Sequence, residues 1–308
     1  MNQTEYPDNI SYVVSCGSLP CRATLIAKYI GITNTVMIVP TAAANALVIV
    51  AILTTSSLRT PSYLLLSSLA FSDLAVGLVI QPILAVLAFW VAYSHTLPSR
   101  LQKARLVITE LLFFSVAFIT TAISVDRYLA IRLKMQYRSV VTIPRTRRLL
   151  LLIWVASSVT VFAINMSNFF VCVVFFIICV TICLLIILVS YTMSFRALKI
   201  HCARTQPQGN LQPNSTTQSN VIDVLKYREV LKTMIILVLL IVVFSLLFYA
   251  IVFIFLEKND GYVLIIWILT NVSYLNSIMN PVICMVRMRD LRRACRNVLR
   301  RLLPACWK

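Results

Sequence analysis

Ile123-Ser124-Val125-Asp126-Arg127-Tyr128-Leu129-Ala130-Ile131 is the stretch that decides the fold. An apolar run ends in an acid, a base and an aromatic, and Arg132 and Lys134 follow. A carboxylate and a guanidinium at the edge of an apolar helix are costly to place in lipid, so the pair marks a membrane boundary with a task attached. Working outward, seven stretches are candidates for membrane helices, each of which needs about 20 mainly apolar residues. They are Tyr29–Leu53, Ser62–Phe89, Leu106–Val125, Leu149–Ile164, Phe169–Phe195, Met234–Leu256 and Tyr262–Val286, and Asp126-Arg127-Tyr128 closes the third. The expected fold is an all-α membrane protein, a seven-transmembrane helix bundle.

Composition agrees. The chain is 60% hydrophobic and 12% charged, against roughly 45–50% and 25% for a soluble domain. A net charge of +18 suggests nucleic acid until its placement is read. With the N-terminus outside, 22 of the 28 Lys and Arg fall in inner loops and the tail, and six fall outside. That is the positive-inside bias. The charge then serves anionic inner-leaflet lipid and a partner with an acidic face, and no nucleic acid is expected. The division is 1–28 extracellular N-terminus, 29–286 seven-transmembrane domain, 287–308 cytoplasmic helix and tail. Met1–Asn9 is polar and carries Glu5 and Asp8, so the first helix is expected to act as its own insertion signal. Asn2 and Asn9 head glycosylation sequons on the assigned outer side. Cys16 and Cys21 are candidates for a small outer disulfide. No cysteine shows metal spacing.

Pro61 and Pro144 suit the first turn of a helix, where a missing N–H costs little. After the seventh stretch, Leu291, Cys295, Val298 and Leu302 recur at steps of four, three and four among arginines. They predict a short amphipathic helix lying in the membrane interface. Cys295 on it, or Cys306 beyond it, is a candidate for palmitoylation.

Three sets of polar residues stand inside apolar stretches. Asp73 is mid-membrane in the second, and Asn45, Asn276, Ser277 and Asn280 are candidates to meet it in one polar cluster. Such a cluster serves function, helix packing or both. Asn280-Pro281 breaks the helical ladder and is either a hinge or a static kink. Glu110, in the third stretch, pairs with a cationic ligand group or with Arg105 or Lys103 above it, or is protonated and packed. Asp126 holds Arg127 until a partner needs it, or the pair only anchors the helix. No catalytic constellation is present: His95 and His201 lie in opposite loops, and five scattered glycines make no phosphate loop.

Taken in order, Asn45, Leu69–Asp73, Asp126-Arg127-Tyr128, Trp154, Tyr191, and Leu275-Asn276-Ser277 through Asn280-Pro281 resemble the motifs of rhodopsin-like G-protein-coupled receptors, over about Tyr29 to Leu303. The resemblance implies that Arg127 and Tyr191 meet each other and the G protein in the active state. It also implies that Asp73, Asn276, Ser277 and Asn280 form a sodium-binding cluster. There are departures. Gln102 stands for the family's outer cysteine of the third helix, and Cys183 for the fifth-helix proline. Val116 stands for a serine that helps hold sodium, and Cys284 for the tyrosine after Asn-Pro. The sixth stretch lacks tryptophan and proline. The short outer loop, the absent disulfide and the absent proline are similar to the melanocortin branch, with lipid and adenosine receptors nearby. Thr109 replaces the aspartate of amine receptors and Tyr274 the lysine of opsins.

The sequence is therefore read as a multi-pass plasma-membrane receptor. Its ligand site is expected near Thr109, Glu110, Phe113, Phe248, Tyr249, Trp267, Asn271 and Tyr274, and its partner is a heterotrimeric G protein. The other readings are an ion-coupled transporter or channel running past Asp73 and Glu110, and a non-signalling decoy.

Overall fold

The structure, a computed structural model, describes residues 20–94, 98–205 and 262–302. No strand occurs among them. The first stretch forms a helix over Pro20–Thr54, and the second one over Pro61–Ser94. The third runs Ser99–Leu133, the fourth Ile143–Met166, the fifth Phe169–Thr205 and the seventh Tyr262–Arg287. Among the described residues, five helices are long and apolar enough to cross a membrane. The sixth stretch lies outside the described residues.

The helices outrun the apolar stretches that announce them. The first begins at Pro20 rather than Tyr29, inside the segment assigned to the N-terminus. The third begins at Ser99 rather than Leu106, and the fifth continues to Thr205 rather than Phe195. Hydropathy marks the slice that sits in hydrocarbon. Backbone hydrogen bonding continues past it, because each N–H and C=O at the interface still needs a partner.

Two helix starts follow from proline. Thr60 is extended (φ −120°, ψ 159°) and Pro61 opens the second helix. Thr142 is likewise extended (φ −114°, ψ 155°), with Pro144 in the first turn of the fourth. Proline pushes its predecessor toward extended geometry and needs no N–H partner at that position. The third helix stops differently. Lys134 has φ 46°, the one non-glycine residue with positive φ among those described. The chain turns there through Lys134–Gln136 into the short helix Tyr137–Val140.

Packing is inverted relative to a soluble bundle. Leu151, Leu152 and Val159 of the fourth helix face outward, while Ile153, Ser157 and Val161, one turn apart, are buried. The buried face of the first helix includes Ile30, Asn34, Thr41, Asn45, Val48 and Ile52, half of them polar. Lipid offers apolar side chains as good a home as the protein does, so small and polar groups face neighbouring helices. Close approach of the first two helices needs glycine. A Cβ on Gly31 would sit 2.9 Å from the Phe89 ring, and one on Gly77 would sit 3.1 Å from the Ala42 backbone nitrogen. Gly77 falls in a π-helical turn, Val76–Ile80.

The terminal helix, Arg289–Leu302, is amphipathic as expected. Leu291, Ala294, Cys295 and Val298 pack with Leu58 and with Val48 and Ile52 of the first helix. Leu302, read as part of that face, is 68% exposed at the helix end. Cys295 is only 3% exposed, and burial pushes its thiol up to about 11. The structure thus places Cys295, a candidate for palmitoylation, on the buried face of this helix. Cys306 lies outside the described residues.

Candidate functional site

One stripe of the third helix organises the molecule. Arg105, Leu112, Ile119 and Asp126 recur at steps of seven, and all four are buried. A seven-residue step returns to nearly the same side of an α-helix, and three such steps span about 30 Å. The stripe thus carries a cation near one end of the bundle and an anion near the other.

At the Asp126 end the carboxylate is 5% exposed and gathers three segments. Tyr137 donates its hydroxyl to Oδ1 at 2.5 Å. Ser62, in the first turn of the second helix, donates to Oδ2 at 2.7 Å. Arg127 donates to Oδ2 from Nε at 3.1 Å and again from Nη2. The guanidinium also donates to the Ser62 hydroxyl. A carboxylate offers about four lone-pair sites, and this one is filled. The structure therefore brings Asp126 and Arg127 together, as read from sequence, and adds Ser62 and Tyr137, which sequence reasoning missed. The turn at Lys134 is what returns Tyr137 to the helix end. Tyr128 does not join: its ring and hydroxyl lie against Arg132. Tyr191 is buried on the fifth helix, and no hydrogen bond joins it to Arg127 among the described residues.

Midway, Asp73 is 2% exposed and Asn280 donates to its Oδ2 at 2.8 Å. Pro281 has no N–H, so the carbonyl of Ser277, four residues back, loses its helical donor. Asn45 supplies the replacement: its Nδ2 donates to the Ser277 carbonyl at 2.9 Å and to Thr41 at 3.0 Å. Of the expected cluster of Asn45, Asp73, Asn276, Ser277 and Asn280, hydrogen bonds join Asn280 to Asp73 and Asn45 to the Ser277 carbonyl, where Asn45 mends the break that Pro281 makes, and Asn276 keeps an undonated Oδ1. The Oδ1 atoms of Asn45 and Asn276 are buried and lack a donor among the described residues. Beside Asp73, a cavity bordered by Asn45, Asn280, Pro281 and Cys284 leaves about 10 Å³ for the centre of a water-sized particle.

At the Arg105 end the expected ligand residues separate. Thr109 and Tyr274 come together, their hydroxyls 3.5 Å apart. Phe113 turns to the fifth helix and stacks on Phe176, with centroids 5.1 Å apart. Asn271 turns to the first helix, where it accepts from buried Asn34 at 2.7 Å. Glu110 accepts from Asn165 of the fourth helix at 3.0 Å. Of the readings open for Glu110, the structure does not show the pairing with Arg105 or Lys103. Five residues rotate a helix by about 140°, so Arg105 and Glu110 leave on different sides. Arg105 instead donates to Tyr274 at 3.2 Å and to Gln102 at 3.0 Å. It was missed as a site residue, although stepping back by sevens from Asp126 leads to it. Phe248, Tyr249, Asn2, Asn9 and Cys16 lie outside the described residues, as do the side chains of Cys21 and Trp267.

Comparison with known proteins accords with this geometry. The family model described as 7 transmembrane receptor (rhodopsin family) matches residues 44–283, from just before Asn45 to just before Cys284. The chain belongs to the rhodopsin family of seven-transmembrane receptors. Adenosine receptor A2b of Canis lupus familiaris is 36% identical over 127 residues, which is 41% of this chain and 36% of that receptor. The Bos taurus receptor of the same name is 35% identical over 125 residues, 41% of this chain and 35% of its own. The matched segment is thus little more than a third of each relative.

Proposed function

We propose that this chain is a plasma-membrane receptor that passes the binding of an extracellular ligand to a heterotrimeric G protein. In this reading the N-terminus is outside and the C-terminus inside, an orientation that the bias of 22 of 28 basic residues toward the inner loops and tail supports. The observation that carries the reading is the filled carboxylate of Asp126. It clasps Arg127 with help from Ser62 and Tyr137, which is a closed arrangement. Opening it releases a guanidinium at the inner face, where a partner with an acidic or carbonyl-lined surface takes it. A ligand that binds the open arrangement more tightly shifts the population. A tenfold shift needs about 1.4 kcal/mol of differential affinity.

A sodium ion belongs to the closed arrangement in this reading. Asn45 borders the cavity beside Asp73, and its Oδ1, like that of Asn276, is buried without a donor among the described residues. This set, with Ser277 and Asn280, suits a hard monovalent cation in chemistry, and the cavity has room for about one particle. The ion would supply the positive charge that the described residues do not place there.

The test is basal G-protein activation in cells at matched surface levels, comparing wild type, Arg127→Ala and Tyr137→Phe. Removing one donor from a charged acceptor costs about 1.5–3 kcal/mol. Tyr137→Phe is therefore expected to raise basal signal about tenfold, and Arg127→Ala to abolish it. Equal signal from all three would count against the reading, and silence in all three with and without agonists would favour the decoy.

A further inference from the structure

The turn that returns Tyr137 to Asp126 is held by two contacts outside the Asp126 site. Ser139, in the short helix Tyr137–Val140, donates its hydroxyl to the Gln136 carbonyl at 2.7 Å. Arg145, in the first turn of the fourth helix, reaches back and donates from Nη1 to the carbonyls of Ser139 at 3.2 Å and Val140 at 2.6 Å. The last carbonyls of a helix have no partner within it, and a basic side chain nearby can satisfy them. Ser139, Arg138 and Arg145 are all exposed. Among the described residues Arg145 bonds only through Nη1, which leaves most of its five N–H donors for another acceptor. From Arg127 to Arg148 the sequence holds no Asp or Glu, while Lys134, Arg138, Arg145, Arg147 and Arg148 surround the turn with positive charge. The other hydroxyls after it are less accessible: Thr146 is buried and Thr142 is half-buried at the start of the fourth helix.

We propose that Ser139 is a phosphorylation site for a serine/threonine kinase that reads basic surroundings, and that the phosphate draws Arg145 off the Ser139 and Val140 carbonyls and so frees the turn that carries Tyr137. The inference rests on the receptor reading only for placing this turn in the cytoplasm. In the transfer, Ser139 Oγ attacks the terminal phosphorus of a nucleoside triphosphate. The bond from that phosphorus to the bridging oxygen breaks, the nucleoside diphosphate leaves, and the hydroxyl proton passes to a base of the kinase. Phosphoserine carries about −1.5 to −2 charge at neutral pH and three acceptor oxygens. Its Oγ can no longer donate to Gln136, and the carbonyls of Gln136, Ser139 and Val140 repel it. Arg138 is adjacent in sequence, and the Arg145 guanidinium is already at the Ser139 carbonyl. A planar guanidinium pairs with phosphate oxygens more strongly than with neutral carbonyls, so both contacts that hold the turn are lost together. Tyr137 belongs to the same short helix, and its hold on Asp126 weakens with it.

The experiment expresses the full chain in cells treated with a serine/threonine phosphatase inhibitor and purifies it into nanodiscs of neutral phosphatidylcholine. Trypsin cleaves after Lys134 or Arg138 and after Arg145, which gives a peptide containing Ser139 and Thr142. Fragmentation mass spectrometry then tells the two hydroxyls apart, and phosphate on Ser139 is expected. Amide hydrogen exchange over Gln136–Val140 is next compared between the phosphorylated chain and the same chain treated with phosphatase, with no G protein present. The phosphate is expected to speed this exchange about fivefold or more, as the loss of hydrogen bonds to charged groups implies. Ser139→Ala, which cannot carry the phosphate, should exchange alike before and after phosphatase. In Arg145→Gln the exchange should start fast, and the phosphate should add less than it does in wild type.

Three results overturn the inference. One is a Ser139 that carries no phosphate. Another is exchange that phosphatase leaves unchanged in wild type. The third is exchange that follows phosphatidylserine added to the nanodisc and not the phosphate, which would give the arginines to lipid headgroups. A chain whose exchange follows the phosphate yet activates no G protein breaks the proposed function alone. One that activates a G protein with Ser139 unmodified breaks this inference alone.

Discussion

The two ends of the third helix answer the same physical problem in opposite ways. Both bury a charge on one stripe, Arg105 and Asp126. At the Asp126 end the chain supplies everything: a guanidinium next door, a serine from the second helix, and a tyrosine returned by the turn after the helix. At the Arg105 end the described partners are neutral oxygens. The difference teaches that burial alone does not say what a charge is for. A charge saturated by its own chain is a latch that ties segments together, as Asp126 does for the second helix, the third and the turn after it. A charge met only by neutral groups among the described residues keeps more of its desolvation cost.

The comparison breaks most visibly if Asp126 is neutralised. Asp126→Asn leaves Arg127 without its counter-charge, and removing one member of a buried pair costs about 3–5 kcal/mol. The unfolding midpoint of the purified chain should fall by roughly 6 °C or more; an unchanged midpoint would show that the latch contributes nothing to the fold. Arg105→Leu should move the other way. Removing a buried charge with no ionic partner among the described residues lifts its desolvation cost, so a rise in midpoint is expected, and a fall would place the Arg105 counter-charge within the chain.

Mid-bundle, the issue is a backbone carbonyl rather than a charge. Asn45→Ala leaves the Ser277 carbonyl bare, at about 1–3 kcal/mol. In a Pro281→Ala background the restored N–H should reclaim that carbonyl and shrink the penalty. A double-mutant cycle on the midpoint reads the coupling, and strict additivity would show that Asn45 is not mending the proline break. The smallest effect is expected at Lys134, whose φ of 46° costs about 1 kcal/mol or more for a non-glycine residue. Lys134→Gly should raise the midpoint by about 2 °C. The added freedom in the turn should also loosen Tyr137 and raise basal signal slightly; a lower midpoint would remove strain from the account.

Much of the site was legible because membrane sequences advertise costs. Asp73, Asp126 and Arg127 stand out against apolar runs, and Pro281 announces a broken hydrogen bond. The helix-level periodicity of Leu291, Cys295 and Val298 correctly gave the terminal helix its apolar face. It did not say that the face meets the first helix closely enough to bury Cys295. Glu110 shows the same limit: its angle away from Arg105 could be counted from a five-residue spacing, but its partner Asn165 lies 55 positions along the chain.

By itself, the sequence determined the helical class, the approximate spans, the charge asymmetry and which helix carries each costly residue. These depend on hydrophobicity and on a backbone that must satisfy itself within each span. Tertiary structure decided which neighbour each polar face meets: Ser62 and Tyr137 on Asp126, Asn45 on the Ser277 carbonyl, Asn34 on Asn271, and Arg105 on Tyr274. Periodicity fixes a residue's angle about its own helix axis. The rotation and lateral order of helices come from packing between segments distant in sequence, and no local pattern encodes that.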